Sequence, residues 1–230
     1  MRIFYFDSLP STQDKVKEII KAGSSDSAFA ICAKRQTAGY GKQGRNFYSP
    51  KQGLYITIAL KNFDINNSMA TLAIGTAIAD FLISFSENYL IRLKWVNDLY
   101  LDNKKFGGIL TERVSDYLVI GIGLNLAKQN FPDDLKKKAT SLDLGGDVDA
   151  FFVKKIVQCV EKSVKTNSNN KFLDRYRELD FLKGKKVLVK MSHKYLTGIA
   201  CGIDNKGRLI LKTNSNLYAL NSGDVIKILF

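Results

Sequence analysis

Arg35-Gln-Thr-Ala-Gly-Tyr-Gly-Lys-Gln-Gly-Arg-Asn-Phe-Tyr-Ser-Pro50 sets three glycines, Gly39, Gly41 and Gly44, among the cations Lys42 and Arg45. Glycine reaches positive φ cheaply and lets backbone N–H groups come close to a ligand. Successive N–H groups in such a turn form a concave anion site, so the stretch reads as a phosphate cradle. Its spelling also fits Gly-x-Gly-x-x-Gly, which marks a dinucleotide fold only when a strand precedes it and a helix follows. The apolar run Ala28-Phe-Ala-Ile-Cys-Ala33 supplies a strand. No helix follows, because Pro50 and Gly53 interrupt the chain and Leu54-Tyr-Ile-Thr-Ile-Ala-Leu60 reads as another strand. The glycines therefore lie on a strand-to-strand loop, and a Rossmann fold is set aside.

Residues 2–6 read as a strand, and Ser11 caps a helix that Gly23 stops. Strands near 28–35 and 54–60 flank the glycine loop. A long buried helix covers about 68–86. Residues 91–95 and 98–101 read as strand, with a polar turn over 102–105. Residues 106–113 and 117–126 form a further pair, and helices follow near 149–165 and 171–180. From 185 onward short alternating strands are separated by turns at 192–193, 204–207, 214–216 and 221–223, the pattern of a small β-barrel. The expected class is α+β: a mixed-sheet domain with flanking helices over 1–182, then a barrel over 183–230.

Composition narrows the function. The chain has 230 residues and is 45% hydrophobic, enough for a real core. It holds no 18-residue apolar run, so no membrane partner is expected. Cys32, Cys159 and Cys201 show no paired spacing and the start resembles no signal peptide, which predicts a reducing cytoplasm and core thiols. The single histidine, His193, sits in a polar stretch and is expected to be solvated and inert. One histidine excludes a multi-histidine metal site, and no protein-held metal is expected. Net charge is +13, and residues 183–230 alone carry nine Lys or Arg against two Asp. Such a surplus suits nucleic acid, an anionic membrane or an acidic protein.

Two further stretches carry chemistry. Lys94-Trp-Val-Asn-Asp98 offers a cation, an amide and a carboxylate at one strand end, a set that binds phosphate and orients a ligand. Lys105-Phe-Gly-Gly-Ile109 and Gly121-Ile-Gly-Leu-Asn125 place glycines inside strands, where they mark a close approach.

Together these stretches resemble the biotin protein ligase family over nearly the whole chain. The family's Gly-Arg-Gly-Arg-x-Gly-Arg loop is similar to residues 39–45. Its Lys-Trp-Pro-Asn-Asp block is similar to 94–98, its Lys-x-x-Gly-Ile to 105–109 and its Gly-x-Gly-x-Asn to 121–125. Its Ser-Thr-Asn start is similar to Ser11-Thr12-Gln13, and an Ala-Thr-Ser-Leu block stands at 139–142. The resemblance implies a class II synthetase-like catalytic domain and an SH3-like C-terminal barrel.

It also implies a reaction. Biotin and Mg-ATP give biotinyl-5′-adenylate and pyrophosphate, and a lysine of a biotin carboxyl carrier protein then attacks the mixed anhydride. By that analogy Ser11, Thr12 and Gln36 hold the ureido ring, and Gln13 belongs to the biotin site. Gly39, Tyr40 and Gly41, with Gly108 and Gly121, line the biotin site. Lys42, Gly44, Arg45, Phe47, Asn97, Asp98 and Asn125 hold ATP and the adenylate, with Phe47 on the adenine. Lys105, Arg45 and Asp98 are the implied catalytic residues, Lys105 serving biotin as well. Three departures stand out. Tyr40 and Lys42 replace arginines, which predicts looser adenylate retention because lysine lacks the bidentate fork. Val96 replaces proline, which predicts a less rigid Asn-Asp turn. Met1 leads straight into the catalytic strand, so no DNA-binding domain and no repressor role are expected. The protein is expected to act as a monomer or homodimer. A lipoate or octanoate ligase or transferase, and a basic nucleic-acid-binding protein, remain alternatives.

Overall fold

β1 (Arg2–Phe6) and β2 (Phe29–Ala33) run parallel and are joined by α1 (Thr12–Lys21). A parallel pair cannot be closed by a tight turn and needs such a crossover. Ser11 is extended, and its hydroxyl oxygen accepts the N–H of Asp14 at 3.2 Å, which satisfies a free donor of the first helical turn. β3 (Gly53–Lys61), β4 (Ile91–Lys94), β5 (Asp98–Leu101), β6 (Lys104–Val114) and β7 (Tyr117–Asn125) complete a seven-stranded sheet. Its order is β1-β2-β3-β7-β6-β5-β4, antiparallel beyond the first pair. α2 (Asn67–Ile83), the short α3 (Asp133–Lys136), α4 (Ala150–Lys165) and α5 (Phe172–Leu179) follow in the chain. This computed structural model describes residues 1–229 apart from 26, 52, 64, 86–88, 129, 145–147, 166–169 and 193. His193 and the expected helix end at Ser86 thus lie outside the described residues.

Strand side chains alternate between faces, and here each parity has its own helix. Phe29, Ile31, Ala59, Tyr117 and Val119 pack with Val16 and Ile20 of α1. Their neighbours Ala30, Ile56, Ile58, Leu118, Ile120 and Ile122 join the larger core with α2 and α4. α2 is apolar around most of its circumference because it lies between the sheet and two further helices. α1 covers only part of its face, and the site begins where that cover stops.

The C-terminal segment forms a second sheet of β8 (Lys186–Lys190), β9 (Tyr195–Ile203), β10 (Leu209–Lys212), β11 (Leu217–Leu220) and β12 (Asp224–Leu229). It runs β11-β10-β9-β8-β12, all antiparallel. The segment expected to form a small SH3-like barrel is thus a five-stranded antiparallel sheet, with no closing pair between β11 and β12 among the described residues. β12 pairs with β8, and the turn between β11 and β12 meets Lys42 of the glycine loop. The mixed α+β architecture itself is as expected.

Other differences are local. The polar turn expected over 102–105 is only two residues long. Asp102 and Asn103 take φ of 48° and 66°, the pair of positive values that a two-residue hairpin requires. Lys105 therefore belongs to a strand. The helix α3 was not foreseen, being four residues with no apolar period. Cys201 is exposed rather than a core thiol. Among the described residues no helix is long and apolar enough to cross a membrane.

Candidate active site

Beyond the edge of α1 the sheet loses its side chains. Gly108 pairs with Gly123 and Leu110 with Gly121 across β6 and β7, and these glycines floor a cavity of about 210 Å³. The space above them is used. A Cβ at Gly121 would stand 2.5 Å from Gln13 Oε1, and one at Gly123 would stand 2.6 Å from the Phe47 ring.

One end of the cavity is neutral and polar. Thr12 donates to Gln36 Oε1 through its N–H at 2.8 Å and its hydroxyl at 3.0 Å. Gln36 Nε2 in turn donates to Ser49 Oγ at 3.1 Å. The Thr57 hydroxyl lies 2.9 Å from Thr12 Oγ1 and 3.2 Å from Gln13 Oε1. Thr12, Gln13 and Thr57 are all buried, so their polar groups need partners in place. Ser11 spends its acceptor on the helix cap and keeps its hydroxyl proton.

The other end is charged. Lys42, Arg45, Lys94 and Lys105 line it against Asp98 and Asp224. Lys105 Nζ donates to Asp98 Oδ1 at 2.6 Å and passes over Gly108, close to where a Cβ would stand. The second sheet closes this end. Arg45 pairs with Asp224 at 2.6 Å, Lys42 donates to the Gly223 carbonyl at 3.0 Å and Lys94 to the Val225 carbonyl at 2.9 Å. Burial pushes both the Lys42 and the Lys94 ammonium below the ordinary lysine value of 10.5, because the charged form loses water. Anion binding needs both protons, so affinity must fall as pH rises through these lowered values. Affinity for inorganic triphosphate is therefore expected to weaken on the alkaline side well before pH 10.5, the ordinary lysine value. An affinity flat up to that pH would contradict it.

Most of the sequence-selected residues meet here. Ser11, Thr12, Gln13, Gln36, Tyr40, Gly41, Lys42, Arg45, Phe47, Asn97, Asp98, Lys105, Gly108 and Gly121 line the one cavity. Gly39, Gly44 and Asn125 do not. Asn125 is buried, and its Nδ2 donates to the Thr140 carbonyl at 3.1 Å and braces the 139–142 segment, while its Oδ1 has no protein partner among the described residues. That segment also bridges the Lys105 backbone, with Thr140 N–H donating to the Lys105 carbonyl at 2.9 Å.

Residues 5–125 of the 230 match the family model described as the Biotin/lipoate A/B protein ligase family, and residues 184–227 match the Biotin protein ligase C terminal domain. The chain belongs to the biotin/lipoate protein ligase family. It is 29% identical over 240 aligned residues to the bifunctional ligase/repressor BirA of Bacillus subtilis, covering 97% of this chain and 73% of the relative. It is 27% identical to the biotin–acetyl-CoA-carboxylase ligase of Mycobacterium tuberculosis, covering 89% and 81%. The solved biotin protein ligase from Aquifex aeolicus, in complex with biotin and ATP, superposes with a TM-score of 0.85 at 27% identity, covering 96% of each chain.

Against the family loop the chain shows its own chemistry. Tyr40 donates its hydroxyl to Asp14 Oδ1 at 2.6 Å and accepts from Lys17 Nζ at 3.2 Å, so the loop is tied to α1. The positive φ angles fall on Gln43 (61°) and Gly44 (70°). Gly41 needs neither, at φ −117° and with no atom closer than 3.9 Å to its missing Cβ. The crowded loop glycine is Gly39, where a Cβ would stand 2.6 Å from both Gln36 Nε2 and Ser49 Oγ. Gly39→Val is thus expected to weaken biotin binding by about tenfold or more through lost hydrogen bonds, while Gly41→Ala changes little. Fluorescence titration of both variants checks this, and equal affinities would overturn it.

Sequence reading missed Asn46, Thr57, Gly223 and Asp224, which line the cavity. Thr57 carried a weak signal, a polar residue inside an apolar strand. Asp224 carried none.

Proposed function

We propose that this protein activates biotin with ATP as biotinyl-5′-adenylate and transfers it to a lysine of a biotin carboxyl carrier protein. The observation that carries this reading is one continuous cavity, neutral and hydrogen-bonding at the α1 end and cationic at the other. A cyclic urea suits the first, and a carboxylate meeting a triphosphate suits the second.

In the first step the biotin carboxylate oxygen attacks the α-phosphorus and pyrophosphate leaves. Two anions must meet, so positioning and cationic stabilisation supply most of the rate. Lys105, Lys42, Arg45 and Lys94 supply the charge. In the second step the carrier amine attacks the acyl carbon, sheds a proton, and AMP leaves. Magnesium bound to ATP would neutralise phosphate charge, and Asp98 and Asp224 would be the hard oxygen donors the cavity offers it; among the described residues no cluster of His, Cys, Asp and Glu forms a separate metal site.

Cysteine chemistry argues against an acyl-cysteine transferase. None of the three cysteines lines the cavity. Burial pushes the Cys32 thiol up to about 12, the reverse of what a nucleophile needs. The setting expected for the reaction is the cytoplasm, with the enzyme a monomer or homodimer and the basic C-terminal sheet facing ATP or an acidic carrier domain.

The test is direct. The protein is incubated with ATP, a carrier domain, and either biotin or lipoate, and the carrier's mass is measured. A biotin-sized gain is expected with biotin alone. Gain with lipoate alone would reassign the substrate. No gain with either, together with tight and salt-dependent DNA binding, would move the protein to the nucleic-acid class.

A further inference from the structure

Gln13 is held by a group that does not line the cavity. Its Nε2 donates to Glu112 Oε2 at 2.7 Å, and the same carboxylate oxygen pairs with Lys17 Nζ at 2.6 Å. Lys17 also reaches Tyr40, which bonds Asp14. Glu112, on β6, shares the sheet face of Leu110 and Gly121. A side-chain amide can present either its oxygen or its nitrogen in a given direction. An ionised carboxylate accepts and never donates, so Glu112 settles which end faces it.

The consequence falls on the cavity. With Nε2 committed to Glu112, Gln13 Oε1 points over Gly121 beside Thr57. Thr57 has one hydroxyl proton and two acceptors within reach, Thr12 Oγ1 and Gln13 Oε1. Thr12's own hydroxyl and N–H are already given to Gln36. The Thr57 proton serves only one of the two acceptors at a time, and Gln13 Oε1, at the longer distance of 3.2 Å, keeps an accepting lone pair on a side chain only 4% exposed. A side-chain amide oxygen has two lone pairs, so a ligand bringing an N–H to this point is favoured.

We infer that Glu112, held by Lys17, is a specificity-determining positioning residue: it fixes the Gln13 amide so that Oε1 accepts an N–H from a cyclic urea. The dithiolane ring of lipoate has no N–H, and sites built to bond a donor reject ligands lacking it by on the order of 10⁴-fold. Lys17 anchors the Glu112 carboxylate through its ion pair at 2.6 Å. Burial alone would lower its ammonium, but hydrogen bonds to Glu112 and Tyr40 outweigh this and raise it. The inference rests on the biotin reading and goes beyond it by naming what selects the urea.

Calorimetric titration of the full chain with biotin, desthiobiotin and ATP tests it. Glu112→Gln keeps the shape but offers a competing N–H₂, so the Gln13 amide can turn. Biotin and desthiobiotin, which share the urea, are expected to weaken together by about 10- to 100-fold, the range for a hydrogen bond to a charged group. ATP affinity is expected to stay as in the unaltered protein. Glu112→Asp keeps the charge but shortens the reach, and is expected to show the same pattern if Glu112→Gln does not fold. Unchanged biotin affinity in the folded variant would overturn the inference, as would an equal weakening of ATP, which would make Glu112 merely structural. If the unaltered protein binds no biotin, the functional reading fails instead.

Discussion

Lys105→Ala is expected to slow biotin-dependent pyrophosphate release by on the order of 10²- to 10³-fold, the usual loss when one preorganised electrostatic group is removed. The ammonium lies 2.6 Å from Asp98 and crosses the glycine floor at the junction of the two cavity ends. In the proposed adenylation, negative charge gathers there as the carboxylate oxygen nears the α-phosphorus. The alanine variant loses that cation and also leaves Asp98 unneutralised, so a carboxylate then faces the incoming phosphates. The fold is expected to survive. Lys105 sits in β6, where its N–H donates to Lys138 and its carbonyl accepts from Thr140, each at 2.9 Å, and alanine keeps both bonds. Lys105→Arg should recover part of the rate, since the charge returns in another shape. Single-turnover pyrophosphate release beside circular dichroism measures both points. A full-speed alanine variant would strip Lys105 of this role.

Local chemistry made much of the fold legible. Ser11 as a cap, Gly23 as a stop and the β-branched run at 54–60 are signals carried by a few neighbouring residues. The glycine floor was legible too, because glycine weakens a strand interior and is tolerated there mainly where something must come close to the backbone. The two-residue hairpin at Asp102-Asn103 was read too long, because four polar residues in a row hide where the ladder resumes. α3 has no apolar period to read.

The site was less completely legible for a different reason. Its polar end is assembled from residues 11–13, 36, 57 and 112, and its charged end is closed by residues 223–225. No local period relates them; only the sheet order does. Asp224 looked like any turn aspartate, and its meaning comes from Arg45, 179 positions earlier. Asn125 is read from its motif as an adenylate residue, and the structure shows its Nδ2 given to Thr140 while its buried Oδ1 has no protein partner among the described residues. The departure at Tyr40 likewise turned out to hold the loop to α1, a contact that the arginine pattern gives no reason to expect.

Removing residues 184–230 is expected to abolish activity and the cooperative fold together. A separable C-terminal module would leave a stable remainder, and the turn-rich composition after residue 185 invites that idea. Packing argues otherwise. Val187, Val189, Ala200, Leu209, Leu211 and Val225 of the second sheet belong to the same apolar cluster as Leu72, Ile74 and Ile78 of α2. Trp95, at the cavity wall, donates its indole N–H to the Gly207 carbonyl at 3.0 Å. Arg177 of α5 reaches the Ile203 carbonyl and Asn205 Oδ1. Each buried aliphatic side chain contributes about 1.5–3 kcal/mol, and a domain is stable by only about 5–15 kcal/mol in total. Losing several at once, and exposing their partners on α2, removes most of that margin. The catalytic loss has its own cause: without Gly223, Asp224 and Val225, the side chains of Lys42, Arg45 and Lys94 lose the groups that hold them at the phosphate end. Thermal unfolding, apolar-dye binding and pyrophosphate release of the truncated chain test the two losses separately. A sharp melt without dye binding would refute the shared core, and biotin-dependent pyrophosphate release by the truncated chain would refute the need for the second sheet at the site.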